Sequence, residues 1–290
     1  MLASPLFDWC GGEVREGKDL RVKTLSAVRL EDVQAVYGGA EGTLWELLMG
    51  EQIHIGGFES SLDLAQNAGI APGMHGVDLC CCTGAGMRFL CRVCGVDHMT
   101  GVDATERVVT LGRSRCEAEG LADRIDFVPG LATDTGLQEG KFDFVWGEDA
   151  WCYVEDKQAL VAEAARLVRP GGVVAFTDWI EGEAGLSQEE SERFLSFMKF
   201  PSLWDRETYL EALEASGCIP QIAADTGRFG PFAQLYSTLL SSQFRLDALK
   251  IIGFDETVMR AIEGEMAFVV ELAQAGKIAQ GLFVARKSGG

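Results

Sequence analysis

A regular alternation of short apolar runs and helical patterns across the middle of the chain constrains the fold more than any other feature. The apolar runs lie at 76–80, 99–104, 123–130, 141–149 and 173–179, and the helical patterns at 84–95, 105–120 and 156–172. Apolar runs of this length are typical of buried strands. Strands that alternate with helices form βαβ units, in which the strands are parallel. The alternation therefore predicts an α/β fold with a doubly wound, mostly parallel sheet.

The chain on either side of this alternation has a different pattern. Residues 1–60 are mostly helical and irregular, and helical patterns return at 185–217 and at about 230–278. We interpret residues 1–60 as an N-terminal helical cap segment and residues 61–290 as the core, which receives further cap insertions at those two places. The apolar run at 281–287 predicts a last strand, which we expect to be antiparallel.

The charge of the chain limits its partners. Asp and Glu number 44 against 25 Lys and Arg, a formal net charge of −19 at pH 7. Proteins that bind nucleic acid gain their affinity mainly by neutralising phosphates with Lys and Arg, so we expect a small-molecule substrate and no nucleic acid. The N-terminus lacks the basic start of a signal peptide, and no apolar run is long enough to span a bilayer. We expect a cytoplasmic monomer or homodimer without membrane insertion.

Cysteine is abundant, and its spacing does not suggest disulfides. Three of the nine cysteines are consecutive, at 80–82, which no disulfide framework would arrange, so we expect reduced thiols. Cys91 and Cys94 have the C-x-x-C spacing of a metal or redox pair. They fall inside a predicted helix, however, and no second pair completes a zinc site. We assign no metal.

The stretch from Asp78 to Gly86 links the first strand of the alternation to the next helix. In a doubly wound sheet such a turn lies at the crevice where cofactors bind. Asp103 ends the second strand, about 20 residues further on, where a carboxylate can accept both hydroxyls of a ribose. The G-x-G-x-x-G spacing that would cradle a pyrophosphate is absent. The pattern therefore favours a nucleoside cofactor without phosphates over a dinucleotide.

These residues resemble the motifs of class I S-adenosylmethionine-dependent methyltransferases. Residues 78–86 are similar to the first motif of that class, E/D-x-G-x-G-x-G, and Gly101–Asp103, Phe142–Trp146 and Leu167–Gly172 match the later motifs in order. The resemblance implies a Rossmann-like fold and S-adenosyl-L-methionine as cofactor. The chain departs from the first motif at two glycine positions, which Cys80 and Cys82 occupy.

A narrower resemblance concerns the acceptor. Residues 50–56, 146–151 and 154–157 look like the sarcosine/dimethylglycine methyltransferase branch. It implies methyl transfer to a small molecule, in the first place the amine of a sarcosine- or dimethylglycine-like compound. O- or C-methylation of a natural-product or lipid-like molecule stays open, as do an arsenic-type, thiol-dependent reaction and cofactor binding without catalysis.

The resemblance also implies roles for individual residues. Arg88 either pairs with the carboxylate of the cofactor or is a surface arginine. Leu131 and Ala132 stand where many relatives carry an acidic residue for the adenine. The expected cofactor-binding residues are Asp78, Cys80, Cys82, Gly84, Arg88, Asp103, Ala104, Leu131, Ala132 and Glu148. The candidates for the methyl-transfer site, as proton acceptors or walls, are Tyr37, His54, Asp149 and Tyr153.

Overall fold

The computed structural model of the protein describes residues 22–25 and 27–289. The predicted cap segment at 1–60 is therefore covered only in part, since residues 1–21 and residue 26 lie outside the described residues. None of the helices in the described part is long and apolar enough to cross a membrane.

A seven-stranded sheet forms the centre of the molecule. Its strands are β2 (His75–Leu79), β3 (His98–Asp103), β4 (Ile125–Pro129), β5 (Phe142–Glu148), β6 (Val168–Glu181), β8 (Cys218–Asp225) and β9 (Ile278–Lys287), in the spatial order β4-β3-β2-β5-β6-β9-β8. Two short strands, β1 (Val22–Thr24) and β7 (Ser202–Trp204), pair apart from this sheet. The first five strands of the spatial order are parallel, and β9 is antiparallel to both of its neighbours. This confirms the predicted α/β fold, its mostly parallel sheet and its antiparallel last strand.

Eleven α-helices surround the sheet within the described residues. They are α1 (Leu30–Tyr37), α2 (Ala40–Met49), α3 (Gly57–Ala68), α4 (Ala85–Phe89), α5 (Glu106–Ala118), α6 (Lys157–Leu167), α7 (Gln188–Met198), α8 (Arg206–Ala215), α9 (Phe229–Ser241), α10 (Arg245–Ile251) and α11 (Glu256–Gln274). A π-helical turn over Leu90–Cys94 continues α4 and ends at Gly95, whose positive φ of 71° breaks the helix.

The helix predicted over 156–172 is shorter than expected. Asp156 caps its start by accepting a hydrogen bond from the backbone nitrogen of Ala159, and the helix ends at Leu167. Strand β6 begins at the next residue and extends five residues further towards the N-terminus than the apolar run indicated. Pro170 accounts for the difference, because proline offers no N–H to a helix and disfavours helical geometry in the residue before it.

The two faces of the sheet are both covered by apolar side chains. Along β5, Val145 belongs to the cluster on one face, while Phe144 and Trp146 belong to the cluster on the other. A third cluster joins helices α2, α7, α9, α10 and α11. The division of the chain into a cap segment and a core stays a prediction. What positions the site is β2, whose neighbours β3 and β5 lie on opposite sides of it, so that a crevice opens at the carboxyl ends of these strands.

Candidate active site

A cavity of about 350 Å³ lies at the carboxyl ends of β2, β3 and β5, within the range typical of small-molecule sites. One face of α1, carrying Leu30, Val33 and Tyr37, forms part of its wall. The structure brings most of the sequence-predicted site residues together here. Those that line the cavity are Tyr37, His54, Asp78, Cys80, Cys82, Asp103, Ala104, Leu131, Ala132, Glu148, Asp149 and Tyr153. Gly84 and Arg88 do not line it.

The loop after β2 keeps the backbone of a glycine motif although cysteines replace two of its three glycines. Cys80 and Cys82 adopt positive φ angles of 67° and 47°, as does Gly84 at 73°. L-residues other than glycine rarely adopt this left-handed conformation, which costs them about 1–2 kcal/mol each. Hydrogen bonds hold it in place, since the backbone nitrogens of Cys80 and Cys81 both donate to the carbonyl of Val102, at 2.8 and 3.1 Å. The cysteines therefore preserve the shape of the loop at a cost in strain.

Asp103 is held by backbone groups on both of its carboxylate oxygens. Its Oδ2 accepts a hydrogen bond from the nitrogen of Cys82 at 2.9 Å, and its Oδ1 accepts one from the nitrogen of Thr105 at 2.8 Å. Burial raises the pKa of Asp103, and these hydrogen bonds oppose the rise. Each oxygen has a further lone pair, so the carboxylate can still accept hydrogen bonds from hydroxyls in the cavity.

Asp78 and Glu148 face each other at the deep end of the cavity. Burial raises the pKa of Asp78 well above its usual value, and the charges of Glu148 and Asp103 raise it further. Glu148 accepts a hydrogen bond from the Ser61 hydroxyl at 2.6 Å and one from the Trp146 indole at 3.0 Å. Burying two carboxylates side by side is costly unless a cation pairs with them. This end of the cavity is therefore suited to a positively charged group.

Gly86 leaves room at this deep end. A Cβ atom at residue 86 would lie 2.7 Å from Oε2 of Glu148 and 3.6 Å from Oδ2 of Asp78. Because both oxygens of Glu148 are already engaged, that carboxylate could not move aside without breaking a hydrogen bond. Glycine here keeps the approach to the two carboxylates open.

Two of the candidates for the methyl-transfer site, Tyr37 and Tyr153, contact each other in the lining of the cavity. The hydroxyl of Tyr37 donates to the hydroxyl of Tyr153 at 2.8 Å, and the two rings meet edge to face, 5.3 Å apart. Burial raises the pKa of both hydroxyls well above the ordinary tyrosine value. Both groups are therefore neutral hydrogen-bonding groups at physiological pH.

His54 lies between oxygen atoms on both sides of its ring. Its Nε2 is 3.2 Å from the Ser61 hydroxyl and 3.3 Å from Oε1 of Glu148, and its Nδ1 is 3.3 Å from the carbonyl of Ile55. The side chain is 4% exposed, so its ring contacts protein groups and the cavity and is shielded from bulk water. Ser61 was not predicted, because it lies in α3 with no local motif to mark it.

Asp149 follows β5 directly and is 5% exposed. Its φ of +50° is left-handed, a conformation that aspartate tolerates better than most residues. Burial raises the pKa of its carboxyl group, while the charge of His54 and hydrogen bonds from Gln280 and Ile55 lower it.

Arg88 is buried and does not itself line the cavity. It pairs with Glu51, with Glu119 at 2.9 Å and with the carbonyl of Thr83 at 2.7 Å. These partners satisfy the guanidinium within the protein. The surface position considered from the sequence is wrong, since Arg88 is 4% exposed, while its contact with the cofactor stays a prediction.

The charge of the lining is uniformly acidic. Its seven carboxylates belong to Glu51, Asp78, Asp103, Glu148, Asp149, Glu155 and Asp156. Within the described part of the chain, no lysine or arginine lines the cavity. Two carboxylates at the rim have partners outside the lining, since Glu51 pairs with Arg88 and Glu155 with Arg29. The more deeply buried carboxylates would therefore face a ligand bound in the cavity.

The strand order, the crevice beside β2 and the loop after it define a Rossmann-like cofactor-binding domain. Residues 77–176, from β2 to the middle of β6, match the family model described as a methyltransferase domain. This part of the chain is a class I, S-adenosylmethionine-dependent methyltransferase domain.

Individual relatives resemble much of the chain at low identity. Phosphoethanolamine N-methyltransferase 1 of Triticum aestivum is 24% identical over 246 residues, covering 84% of this chain and 48% of that protein. The glycine/sarcosine/dimethylglycine N-methyltransferase of Actinopolyspora halophila is 26% identical over 162 residues, covering 52% of this chain and 28% of that protein. The chain spans about half or less of the length of the curated relatives it matches first.

A solved structure shows the same fold over nearly its whole length. The putative sarcosine dimethylglycine methyltransferase from Galdieria sulphuraria superposes with a TM-score of 0.77 at 18% identity, covering 86% of this chain and 97% of that one. This likeness confirms the fold predicted from the sequence.

Proposed function

We propose that the protein transfers the methyl group of S-adenosyl-L-methionine to the amine of a small, sarcosine- or dimethylglycine-like acceptor. The observation that carries this proposal is the acidic cavity, in which no lysine or arginine of the described chain takes part. A site of this charge attracts cations and repels anions. An amine acceptor and a sulfonium donor both carry or develop positive charge, so they suit it.

The cofactor fits the residues at the deep end of the cavity. S-adenosyl-L-methionine supplies a methyl group bound to a positively charged sulfur. Asp103 is free to accept the ribose hydroxyls, and Leu131 and Ala132 offer apolar surface for the adenine. Asp78 and Glu148 face the positive charge, and Gly86 keeps the approach to them open. The left-handed loop at 80–84 presents its backbone to the ligand, as a glycine motif would.

The wall formed by Tyr37, Tyr153, His54 and Asp149 would orient the acceptor. Methyl transfer needs the nucleophile in line with the methyl carbon, and such positioning contributes about 7–11 kcal/mol in favourable cases. Tyr37 and Tyr153 give this wall aromatic surface that favours a cationic amine. Asp149 or His54 would take the proton that the amine loses before it attacks. Both side chains are buried, which keeps that proton from exchanging freely with water.

Phosphorylated acceptors fit less well, although one relative in Triticum aestivum methylates phosphoethanolamine by name. A phosphate is usually held by arginine, lysine or a set of backbone N–H groups. In the residues described, the cavity offers carboxylates instead. The same argument applies to acceptors that carry a diphosphate and, because it has a single negative charge, less strongly to the carboxylate of sarcosine or dimethylglycine.

O- or C-methylation of a more apolar molecule is the second candidate. Leu30, Val33 and Ile53 form an apolar patch on the cavity wall that would hold a ring or an alkyl chain. An arsenic-type reaction is less suited to this site, because burial raises the pKa of Cys80 and Cys82 and keeps them as neutral thiols, whereas the thiolate is the metal ligand.

The remaining expectations accompany this proposal. The net charge of −19 supports a protein that does not bind nucleic acid, and a small-molecule reaction of this kind suits the cytoplasm and a monomer or homodimer. Size-exclusion chromatography with light scattering would measure the assembly state.

Two measurements test the function. Calorimetric titration should show binding of S-adenosylhomocysteine and none of NADH. Formation of S-adenosylhomocysteine should then be followed with sarcosine, dimethylglycine, N-methylethanolamine, phosphoethanolamine and a catechol. We expect turnover with the unphosphorylated amines. A preference for phosphoethanolamine would contradict the charge argument, turnover of the catechol alone would favour O-methylation, and failure to bind S-adenosylhomocysteine would end the proposal.

A further inference from the structure

Gln280 is a buried amide on the antiparallel strand β9 and does not line the cavity. It is 0% exposed and lies opposite Trp179 in the β6–β9 pairing. A buried amide has to find partners for its two N–H hydrogens and its oxygen, because leaving them unpaired is costly. The partners of Gln280 connect this strand to the active-site wall.

The orientation of the amide follows from Thr226. The Thr226 hydroxyl donates to Oε1 of Gln280 at 2.9 Å, and it is itself the acceptor for the backbone nitrogen of Arg228 at 3.2 Å. With Oε1 turned to Thr226, the NH₂ group of Gln280 points to Asp149. Its Nε2 lies 3.0 and 2.9 Å from the two carboxylate oxygens of Asp149.

The same NH₂ group also fixes the segment that carries His54. Nε2 of Gln280 donates to the carbonyl of Ile55 at 3.0 Å, while the nitrogen of Ile55 donates to Oδ2 of Asp149 at 2.8 Å. Gln280, Asp149 and Ile55 therefore form a closed set of hydrogen bonds behind the cavity wall. Asp149 keeps its left-handed φ of +50° within this set, and such a conformation persists only where the surroundings hold it.

We infer that Gln280 is a positioning residue that fixes the Asp149 carboxylate and the His54 segment for the transfer step, and does so without adding charge. This inference rests on the proposed function. A lysine at residue 280 could hold the same carboxylate, but it would neutralise it. A neutral amide supplies hydrogen bonds and leaves the negative charge of Asp149 available to a cationic amine.

The pH dependence of the reaction should report on this contact. The hydrogen bonds from Gln280 lower the pKa of Asp149, against a rise caused by burial. The other titratable groups facing or coupled to Asp149 are His54 on the neighbouring segment, Tyr236 on α9, Asp178 on β6 and Cys152 after β5. Replacing Gln280 leaves all of these in place, so a shift in the acid limb of the profile would arise from the lost amide.

The test compares Gln280→Met with Leu282→Ala, a control on the same strand whose side chain packs in the apolar cluster on one face of the sheet. We expect Gln280→Met to lower kcat/KM for the amine about tenfold or more. Its acid limb should move to higher pH, while its affinity for S-adenosylhomocysteine stays within about threefold. Leu282→Ala should lower the unfolding temperature and leave the acid limb unmoved.

A double-mutant cycle and a spectrum separate positioning from general stability. If Gln280 acts through Asp149, Gln280→Met should cost much less in the Asp149→Asn background than in the wild type. The NMR signals of the His54 ring should shift in Gln280→Met and not in Leu282→Ala. Full kcat/KM with an unmoved His54 signal in Gln280→Met would overturn the inference. If the wild-type protein turned over no acceptor at all, the proposed function would fail instead, and the His54 signal would still decide the positioning role.

Discussion

The backbone nitrogen of Cys82 donates a hydrogen bond of 2.9 Å to Oδ2 of Asp103. The loop after β2 is thereby fastened to the carboxylate that ends β3. The two sequence features that suggested a nucleoside cofactor, a tight loop and an acidic strand end, are thus parts of a single hydrogen-bonded unit. A substitution in the loop should therefore alter the geometry of the Asp103 carboxylate, and a substitution of Asp103 should alter the loop.

Replacing Asp103 by Asn should weaken cofactor binding. Asn keeps one oxygen, so one of the two backbone N–H groups loses its partner, and a neutral amide accepts ribose hydroxyls less strongly. Hydrogen bonds to a charged group contribute about 1.5–3 kcal/mol, so the Kd for S-adenosylhomocysteine should rise about 10- to 100-fold in calorimetric titration. Asp126→Asn, an exposed carboxylate on β4, serves as the control. Equal affinity in the two variants would show that Asp103 does not hold the cofactor.

Glycine at residue 80 or 82 should give a slightly more stable protein than alanine at the same residue. Left-handed geometry costs a cysteine about 1–2 kcal/mol, and glycine avoids this cost but loses about 0.5–1 kcal/mol of chain entropy. Cys80→Gly and Cys82→Gly should therefore each be more stable than the matching alanine variant, as measured by the urea midpoint. Cys218→Gly, in strand β8, should be less stable than Cys218→Ala. The opposite order at residues 80 and 82 would mean that the loop is not strained.

The Cys82 thiol should react slowly at neutral pH. Burial and the charge of Asp103 raise its pKa to about 12, and only the thiolate attacks iodoacetamide. The rate of alkylation of the folded protein should still rise about tenfold per unit between pH 7 and 10, whereas the urea-unfolded chain should level off above a pKa of about 8.5. Mass spectrometry of the labelled peptide, with Cys82→Ser as the blank, measures this. A plateau near pH 9 in the folded protein would contradict the raised pKa.

A neutral thiol also competes poorly with the acceptor for a methyl group.

Glu41 should make stability depend on pH. It lies in the first turn of α2, and burial raises its pKa to about 7, while the charge of Lys199 lowers it. A carboxyl group with a raised pKa in the folded state stabilises the fold below its ordinary pKa, and this contribution is lost as the pH rises from about 4.5 to 7. Urea midpoints over that range should fall less in Glu41→Gln than in the wild type. The exposed Glu59→Gln should follow the wild type, and parallel curves for all three would refute the assignment.

The sequence anticipated elements that depend on local pattern. Strand β3 and its end at Asp103 follow from the apolar run at 99–104, which indicates a buried strand whatever its neighbours are. The helix over 156–172 was predicted too long, since Pro170 favours an earlier end and Val168 pairs with Phe142 in the sheet, which places it in β6. The pairing of β1 with β7 was not foreseen, because three-residue strands carry too little pattern to be recognised.

The site was anticipated to a similar extent. Asp78, Asp103 and Glu148 could be chosen because each lies near the carboxyl end of a predicted strand. Ser61 and Gln280 could not, since one lies inside a helix and the other inside a strand, without a motif around either. Their roles come from distances between residues far apart in the chain, such as the 2.6 Å contact of Ser61 with Glu148.

By itself, the sequence determined the parallel sheet, the position of the cofactor crevice and the unusual cysteines of its loop. Alternating apolar patterns and turn-forming residues are local properties, and local properties can be read from neighbouring positions in the chain. Tertiary structure decided that Cys80 and Cys82 keep left-handed geometry, that Arg88 is satisfied within the protein, and that carboxylates line the cavity while no lysine or arginine of the described residues does. Those outcomes depend on contacts between residues that are far apart in the chain. The contacts form in a space with little water, where an unpaired charge is costly, and a local sequence pattern does not contain them.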